Sequence, residues 1–333
     1  MAAHGKRPDE IELHFRRDPD SPASKYLYPT DRLRAEVERC HRKWQEKNSQ
    51  PTAIETLPVI KTSREFIAGF IPPDYILDGL LQEGFLYSLT GQTGSGKTSV
   101  TLRLAASVAL GAPFAGRETK KCRVLYLAAE SPDDVRMRWI ALSQPGAGMG
   151  FDPDTIEVFF TDKRFTISKM IDVLLAELAR HGGEFGLVII DTGPAFFEGD
   201  DESSRAQMGV HARMFRSLID IIPGRPCVVV NVHPVKNAVA DNLCPAGGGS
   251  FVNEMDGNLT AAKTDSTVEV HWQVKFRGPE FAPLHFLIKT VTHQDLKTAK
   301  DALSQPAYAN GSANRPPRRS PRQRLTTRIE CSN

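Results

Sequence analysis

The sequence predicts an α/β fold: a mostly parallel central sheet flanked by helices, with an antiparallel strand pair on its C-terminal side. Three observations predict it. First, short and nearly continuous apolar runs recur at residues 84–90, 123–130, 155–160, 187–191 and 227–233. Such runs are buried on both faces, the condition of strands in a parallel sheet. Second, segments of helical period separate several of them, among them residues 97–110 and 167–181. Third, the pattern changes at 267–277, where Val268, Val270, Trp272, Val274 and Phe276 alternate with Glu269, His271, Gln273, Lys275 and Arg277. Strict alternation predicts a strand with one wet face, paired antiparallel with residues 283–291.

Around this core the chain divides into three. Residues 1–60 form a polar, charge-mixed arm with one helix, in which Leu33, Val37, Cys40 and Trp44 make a thin apolar stripe. That stripe packs on the chain's own core or docks on a partner. Residues 61–305 carry the α/β pattern. Residues 306–333 form a tail with five arginines and three prolines between Arg315 and Arg324, a composition that cannot pack and predicts disorder. Its arginines suit sequence-blind contacts to phosphates, or simply solubilise the chain.

Bulk composition excludes several classes. Of 333 residues, 40% are hydrophobic and 25% charged, which is ordinary for a globular chain with a sizeable core. The net charge of +2 gives the whole chain no nucleic-acid signature. Cys40, Cys122, Cys227, Cys244 and Cys331 are odd in number and far apart, which argues against a structural zinc and for a reducing compartment. No run approaches the roughly 18 apolar residues of a membrane span, and the first residues lack the apolar core of a signal peptide, so the expected location is the cytoplasm.

Residues 91–98, GQTGSGKT, carry the first chemistry, fitting the phosphate-loop pattern G-x-x-x-x-G-K-[ST] at every fixed position. Gly91, Gly94 and Gly96 allow a tight turn, while the backbone N–H groups of Gln92, Thr93 and Ser95 join those of the glycines in facing phosphate oxygens. Lys97 neutralises β- and γ-phosphate charge, and the Thr98 hydroxyl ligates Mg²⁺. The loop sits between a strand pattern and a helix pattern, the context the motif requires.

In an open parallel sheet ligands bind at the carboxyl ends of the strands, so Glu130, Asp191 and His233 share an edge with this loop. Asp191 is the expected Mg²⁺ partner, or else a helix N-cap. A triphosphatase also needs a base near the attacking water, and Asp191 is followed by Thr192 rather than a second acid. Glu130 is therefore the candidate base. His233 can report loss of the γ-phosphate by changing hydrogen-bond partner and so move the Gly-rich segment 234–250, or it is a half-buried histidine at a strand end. Lys275 and Arg277 project together from the wet face of their strand, about 7 Å apart. Alone, that pair is an ordinary solvated face.

In order, the motifs GQTGSGKT, YLAAESP, VIIDTGPAFFEGDDESSRAQM, VNVHPVKN and KFRGP resemble those of RecA-like hexameric ATPases, in particular the RepA-like plasmid helicase branch, with DnaB-type helicases as cousins. The resemblance spans about residues 70–290. It implies a RecA-like P-loop core that binds ATP and Mg²⁺, Glu130 as catalytic base, Asp191 as the Walker B aspartate and His233 as γ-phosphate sensor. Lys275 and Arg277 match the basic pair that reaches a neighbouring subunit's nucleotide. The implied activity is ATP hydrolysis by a hexameric ring that translocates on single-stranded DNA or unwinds duplex. A non-helicase regulatory or recombination-accessory ATPase is the alternative. The segment AGGGSF lacks the arginine that often follows the sensor histidine in this branch.

Overall fold

The computed structural model describes residues 7–17, 23, 25, 32–48, 60–146, 148–291 and 326–331. The chain splits into two compact units, Met1–Ile71 and Pro72–Asn333. The boundary falls after residue 71 rather than near 60, because residues 60–71 bury almost nothing: the short helix there (α3, Ser63–Ile67) has no buried residue.

The first unit is built on two further helices, α1 (Pro8–Arg16) and α2 (Leu33–Asn48). Leu33 and Val37 of the predicted stripe are buried with Ile11, and Phe15 packs beside them. Cys40 is exposed; the Trp44 side chain lies outside the described residues, as do residues 312–324 of the arginine-rich tail.

The second unit opens with a two-stranded ribbon of β1 (Tyr75–Leu77) and β2 (Leu81–Gln82). There follow β3 (Leu86–Thr90), α4 (Lys97–Leu110), β4 (Arg123–Ala128), α5 (Pro132–Ser143), β5 (Val158–Thr161), α6 (Ile167–His181) and β6 (Phe185–Asp191). After a 3₁₀ turn at Gly193–Phe196 come α7 (Arg205–Ile221), β7 (Cys227–Val232), α8 (Gly248–Val252), β8 (Gly257–Thr264), β9 (Thr267–Phe276), β10 (Leu284–Val291) and β11 (Thr326–Cys331).

Nine strands form one sheet in the order β11-β10-β9-β8-β3-β7-β6-β4-β5. From β5 to β8 every neighbouring pair is parallel. From β8 to β11 every pair is antiparallel. The five apolar runs are β3 to β7, and the predicted pair of 267–277 with 283–291 is β9 with β10. Each face of the sheet has its own core. On one, Leu102 and Ala105 of α4 and Leu142 of α5 meet Tyr87, Tyr126 and Ile189. On the other, Leu178 of α6 and Phe215 and Leu218 of α7 meet Leu127, Val188 and Val230. At roughly 1.5–3 kcal/mol per fully buried large apolar side chain, these two layers dominate the stability of the unit.

Two features depart from the sequence reading. The end of the expected structureless tail, Thr326–Cys331, pairs with β10 over six residues; its β-branched Thr326, Thr327 and Ile329 favour a strand. Between β3 and β9, moreover, lies β8, whose sequence GNLTAAKT contains no apolar run. Leu259 and Ala261 alone of its residues join the apolar core, and polar groups add to their hold. Ser88 and Thr90 of β3 donate to Asn258 Oδ1 at 2.8 and 2.6 Å, while Asn258 Nδ2 donates to the carbonyls of Leu243 and Gln273, each at 3.1 Å. One buried amide thereby ties β3, β9 and the segment before α8 together.

Removing that amide strands two hydroxyls and two carbonyls in a dry environment. Asn258→Ala is expected to lower unfolding stability by about 3 kcal/mol, read from the urea midpoint; a loss below about 1 kcal/mol would return β8 to ordinary packing.

Candidate functional site

The turn from β3 into α4 is the predicted phosphate loop, and it is positioned from below as well as from its ends. Gly91 N donates to the Val232 carbonyl at 3.2 Å, anchoring the loop to β7. Gly96 has φ +90°, and a β-carbon there would fall 2.7 Å from Cγ2 of Val268 on β9. Only glycine combines that backbone with that contact. Lys97 Nζ donates to the carbonyls of Gly91 at 2.7 Å and Gln92 at 3.1 Å, so these two residues hold the lysine rather than line the cleft. Burial pushes the Lys97 ammonium below its usual range, against the opposing pull of Asp191 and Glu130.

Asp191 ends β6 and is 3% exposed. Its Oδ1 accepts from Asn231 Nδ2 at 2.9 Å and Thr98 Oγ1 at 3.3 Å; its Oδ2 accepts from Tyr126 OH at 2.8 Å. Burial raises its pKa above the usual carboxylate range, and the three hydrogen bonds oppose that shift. The helix N-cap alternative therefore does not describe it. Glu130 lies just past β4, and Thr192 Oγ1 donates to its Oε2 at 2.5 Å. Where a second acid is absent, Thr192 thus makes contact with the acid on the next strand. Arg164 Nε fixes the backbone beside it by donating to the Ala129 carbonyl at 2.9 Å.

A cleft of about 420 Å³ joins these groups, lined by Thr93, Gly94, Ser95, Gly96, Lys97 and Thr98 with Glu130, Asp191 and His233. Burial, followed by Lys97, holds the His233 imidazole below its usual pKa. The cleft also takes in Arg138 of α5 and Lys263 of β8. Sequence reasoning missed both, because neither sits in a motif. Tyr126 and Asn231 were missed too, although each is a polar residue inside an apolar run, a signal that could have marked them.

Lys275 and Arg277 stand elsewhere. β9 runs antiparallel to β8, so its end pairs with Gly257 at the start of β8, the edge of the sheet opposite the phosphate loop. The length of a five-residue strand, roughly 17 Å, separates that edge from the loop. The expected side-by-side solvated pair is met in part: Arg277 is exposed, whereas Lys275 is half-buried, and burial followed by the neighbouring Arg277 charge holds the Lys275 ammonium below its usual range. The register slips between Gly257 and Leu259, Val274 adopts φ +74°, and Lys275 turns back onto the protein while Arg277 stays largely exposed. Lys275 Nζ donates to the carbonyls of Val252 and Asn253 at 3.2 and 2.9 Å, and Arg277 pairs with Asp256 at 2.8 Å.

The donor set fits a nucleotide carrying a divalent ion. Ser95 Oγ is buried in the loop without a hydrogen-bond partner, a free group where phosphate oxygens would lie. Thr98 and Asp191 offer one hydroxyl and one carboxylate, and among the described residues no group of three or more His, Cys, Asp or Glu could hold a metal by itself. An ion that completes its shell with substrate phosphates and water suits that sparse set.

A glycine-rich loop between a central parallel strand and a helix, facing a strand-end aspartate, defines a P-loop ATPase. The AAA_25 family, an AAA domain, matches residues 50–238, more than half of the chain, and the chain belongs to it. No curated protein matches the sequence. Among the described residues, no helix is long and apolar enough to cross a membrane.

One buried group beside the site carries a pH signature. His211 of α7 bonds through Nε2 to the Gly193 carbonyl at 3.1 Å and packs against Phe215 and Phe197. Burial pushes its imidazole down to about 4. The unfolded chain binds that proton near pH 6.5, so stability is present above this value and is lost as pH falls toward about 4. Between pH 7 and 4.5 the loss from this group is about 2 kcal/mol. His211→Phe is expected to remove that part of the acid slope in urea titrations at the two pH values, and an unchanged slope would show that other groups carry it.

Proposed function

We propose that the chain is a RecA-like ring ATPase of the RepA-like type that couples ATP hydrolysis to movement along single-stranded DNA. The observation that carries this reading is the separation of the two cationic groups: Lys97 stands at one edge of the sheet, while Lys275 and Arg277 stand at the other. A basic pair at the far edge has no path to its own nucleotide but can meet one held by a second copy. Hydrolysis then depends on assembly, because charge stabilising the transition state comes from two subunits.

Within one site, Glu130 accepts a proton from water as the water oxygen bonds to the γ-phosphorus. The bond from that phosphorus to the β,γ-bridging oxygen breaks, and ADP leaves. Glu130 is one hydrogen bond from Thr192, which orients its carboxylate. Thr98 and Asp191 would hold Mg²⁺, which when bound neutralises charge on the β- and γ-phosphates. His233, in the same cleft, senses the γ-phosphate and passes its loss to the segment that follows β7. Six copies closing a ring are the expected assembly.

A second reading, a regulatory ATPase without unwinding activity, is favoured by one observation. Residues 234–250, which would face DNA in a ring, carry the single basic residue Lys236 and the acid Asp241. Single-strand tracking ordinarily uses a positively charged groove.

Strand displacement on a forked duplex separates the two. The wild-type protein is expected to displace strands with ATP and Mg²⁺, while Lys97→Ala and Glu130→Gln do not. Arg277→Ala should lose turnover by more than about a hundredfold with ATP binding retained. Single-strand-stimulated turnover without displacement of either polarity would leave the regulatory reading standing.

A further inference from the structure

The amino edge of the parallel strands contains a carboxylate that the hydrolytic site does not use. Asp256 precedes β8, and its side chain is 5% exposed. Its Oδ2 accepts from Leu86 N at 2.9 Å and from Arg216 Nη2 at 3.0 Å, and its Oδ1 accepts from Arg277 Nη1 at 2.8 Å. The backbone N–H of Arg277 donates to the Asp256 carbonyl at 2.8 Å, so arginine and acid are fixed to each other twice.

The pair is unequal. The acid is enclosed and surrounded by donors, whereas the Arg277 side chain is 62% exposed. A guanidinium has five N–H donors. Among the described residues Arg277 commits only an Nη1 donor, leaving the remainder of its fork toward solvent. A long cation on a strand that has just slipped register and passed through a left-handed Val274 would otherwise sample many directions. Anchoring one nitrogen removes most of that freedom before any partner arrives, and lowers the entropy lost when the free edge meets an anion.

We propose that Asp256 is the positioning residue for Arg277, holding the free edge of its guanidinium ready for phosphate oxygens of a nucleotide bound by a second copy of the chain. This rests on the reading of Arg277 as a trans residue. Asp256 itself touches no substrate. It acts through the arginine, and Arg216 and Leu86 hold the acid in turn.

The test is Asp256→Asn, nearly isosteric and still able to accept from Leu86 N, with turnover, nucleotide affinity and mixed assembly all measured. Turnover is expected to fall between about tenfold and about a hundredfold, with ADP and ATP affinities within about twofold of wild type. Mixed with Glu130→Gln subunits it should regain part of the turnover, since those mixed interfaces in which the Asp256→Asn subunit holds the nucleotide pair an intact Glu130 with an intact Asp256–Arg277 unit. A purely structural role would not give that recovery. Wild-type turnover in Asp256→Asn overturns the proposal, faster turnover means that the acid sequesters the arginine, and a fall without recovery in the mixture means that Asp256 serves the fold. The Arg277→Ala and Glu130→Gln mixture is run beside it. Failure to recover there defeats the trans reading itself, while recovery there with none for Asp256→Asn defeats only the role of the acid. Should Asp256→Asn not fold, Asp256→Asn/Arg216→Met, which removes the second arginine's charge with its partner, takes its place in the same measurements.

Discussion

The site depends on a carboxylate taken out of water. Asp191 is enclosed at the end of a central strand, and a bare buried carboxylate would be costly unless its oxygens were satisfied. Tyr126, Asn231 and Thr98 supply that satisfaction from β4, β7 and α4. Each donor comes from a different element, so the strands on either side of β6 and the helix after the phosphate loop must be in register for the acid to be tolerated. One of those three bonds, at 3.3 Å, also ties the Thr98 hydroxyl of the phosphate loop to the acid. Fold and chemistry share this one constraint.

Around Asp191 the remaining groups are held by short local ties. Lys97 is curled onto the carbonyls of its own loop, Glu130 is bonded to the residue after Asp191, and Arg164 braces the backbone ahead of Glu130. Such ties set the directions of side chains before a nucleotide binds, and preorganisation of this kind is where most electrostatic catalysis originates. On the far edge of the sheet Asp256 does for Arg277 what the loop carbonyls do for Lys97. In both places a cation is tethered by part of its donor set.

The sequence made much of this legible, for reasons that lie in particular residues. The five parallel strands announced themselves because burial on both faces demands unbroken apolar runs. Residues 91–98 were legible because the backbone of a phosphate loop tolerates few residue types. The place of Glu130 in the cleft was legible because it ends an apolar run. β8 was not legible, since only Leu259 and Ala261 of it join the apolar core while Asn258 and Thr260 are tied by hydrogen bonds, and periodicity does not register hydrogen bonds across 170 residues. Alternation along β9 held only to Gln273. Nothing in a valine marks the left-handed backbone at Val274, and so the folding of Lys275 onto the Val252 and Asn253 carbonyls had no local signal. The division after residue 71 was equally hidden, because it depends on what residues 60–71 fail to touch.

One strand joins both edges of the molecule. β9 begins where Val268 presses on Gly96, under the phosphate loop, and ends beside Arg277. Ten residues of strand make a strut of roughly 30 Å. Over residues 267–270 it is paired on both sides, with β8 and with β10, and beyond Val270 with β8 alone across a slip in register. Val268 occupies the space that any side chain at position 96 would need, so the loop and the start of β9 pack closely. β9 thus runs from the packing beneath the phosphate loop to the edge of the sheet where Asp256 holds Arg277.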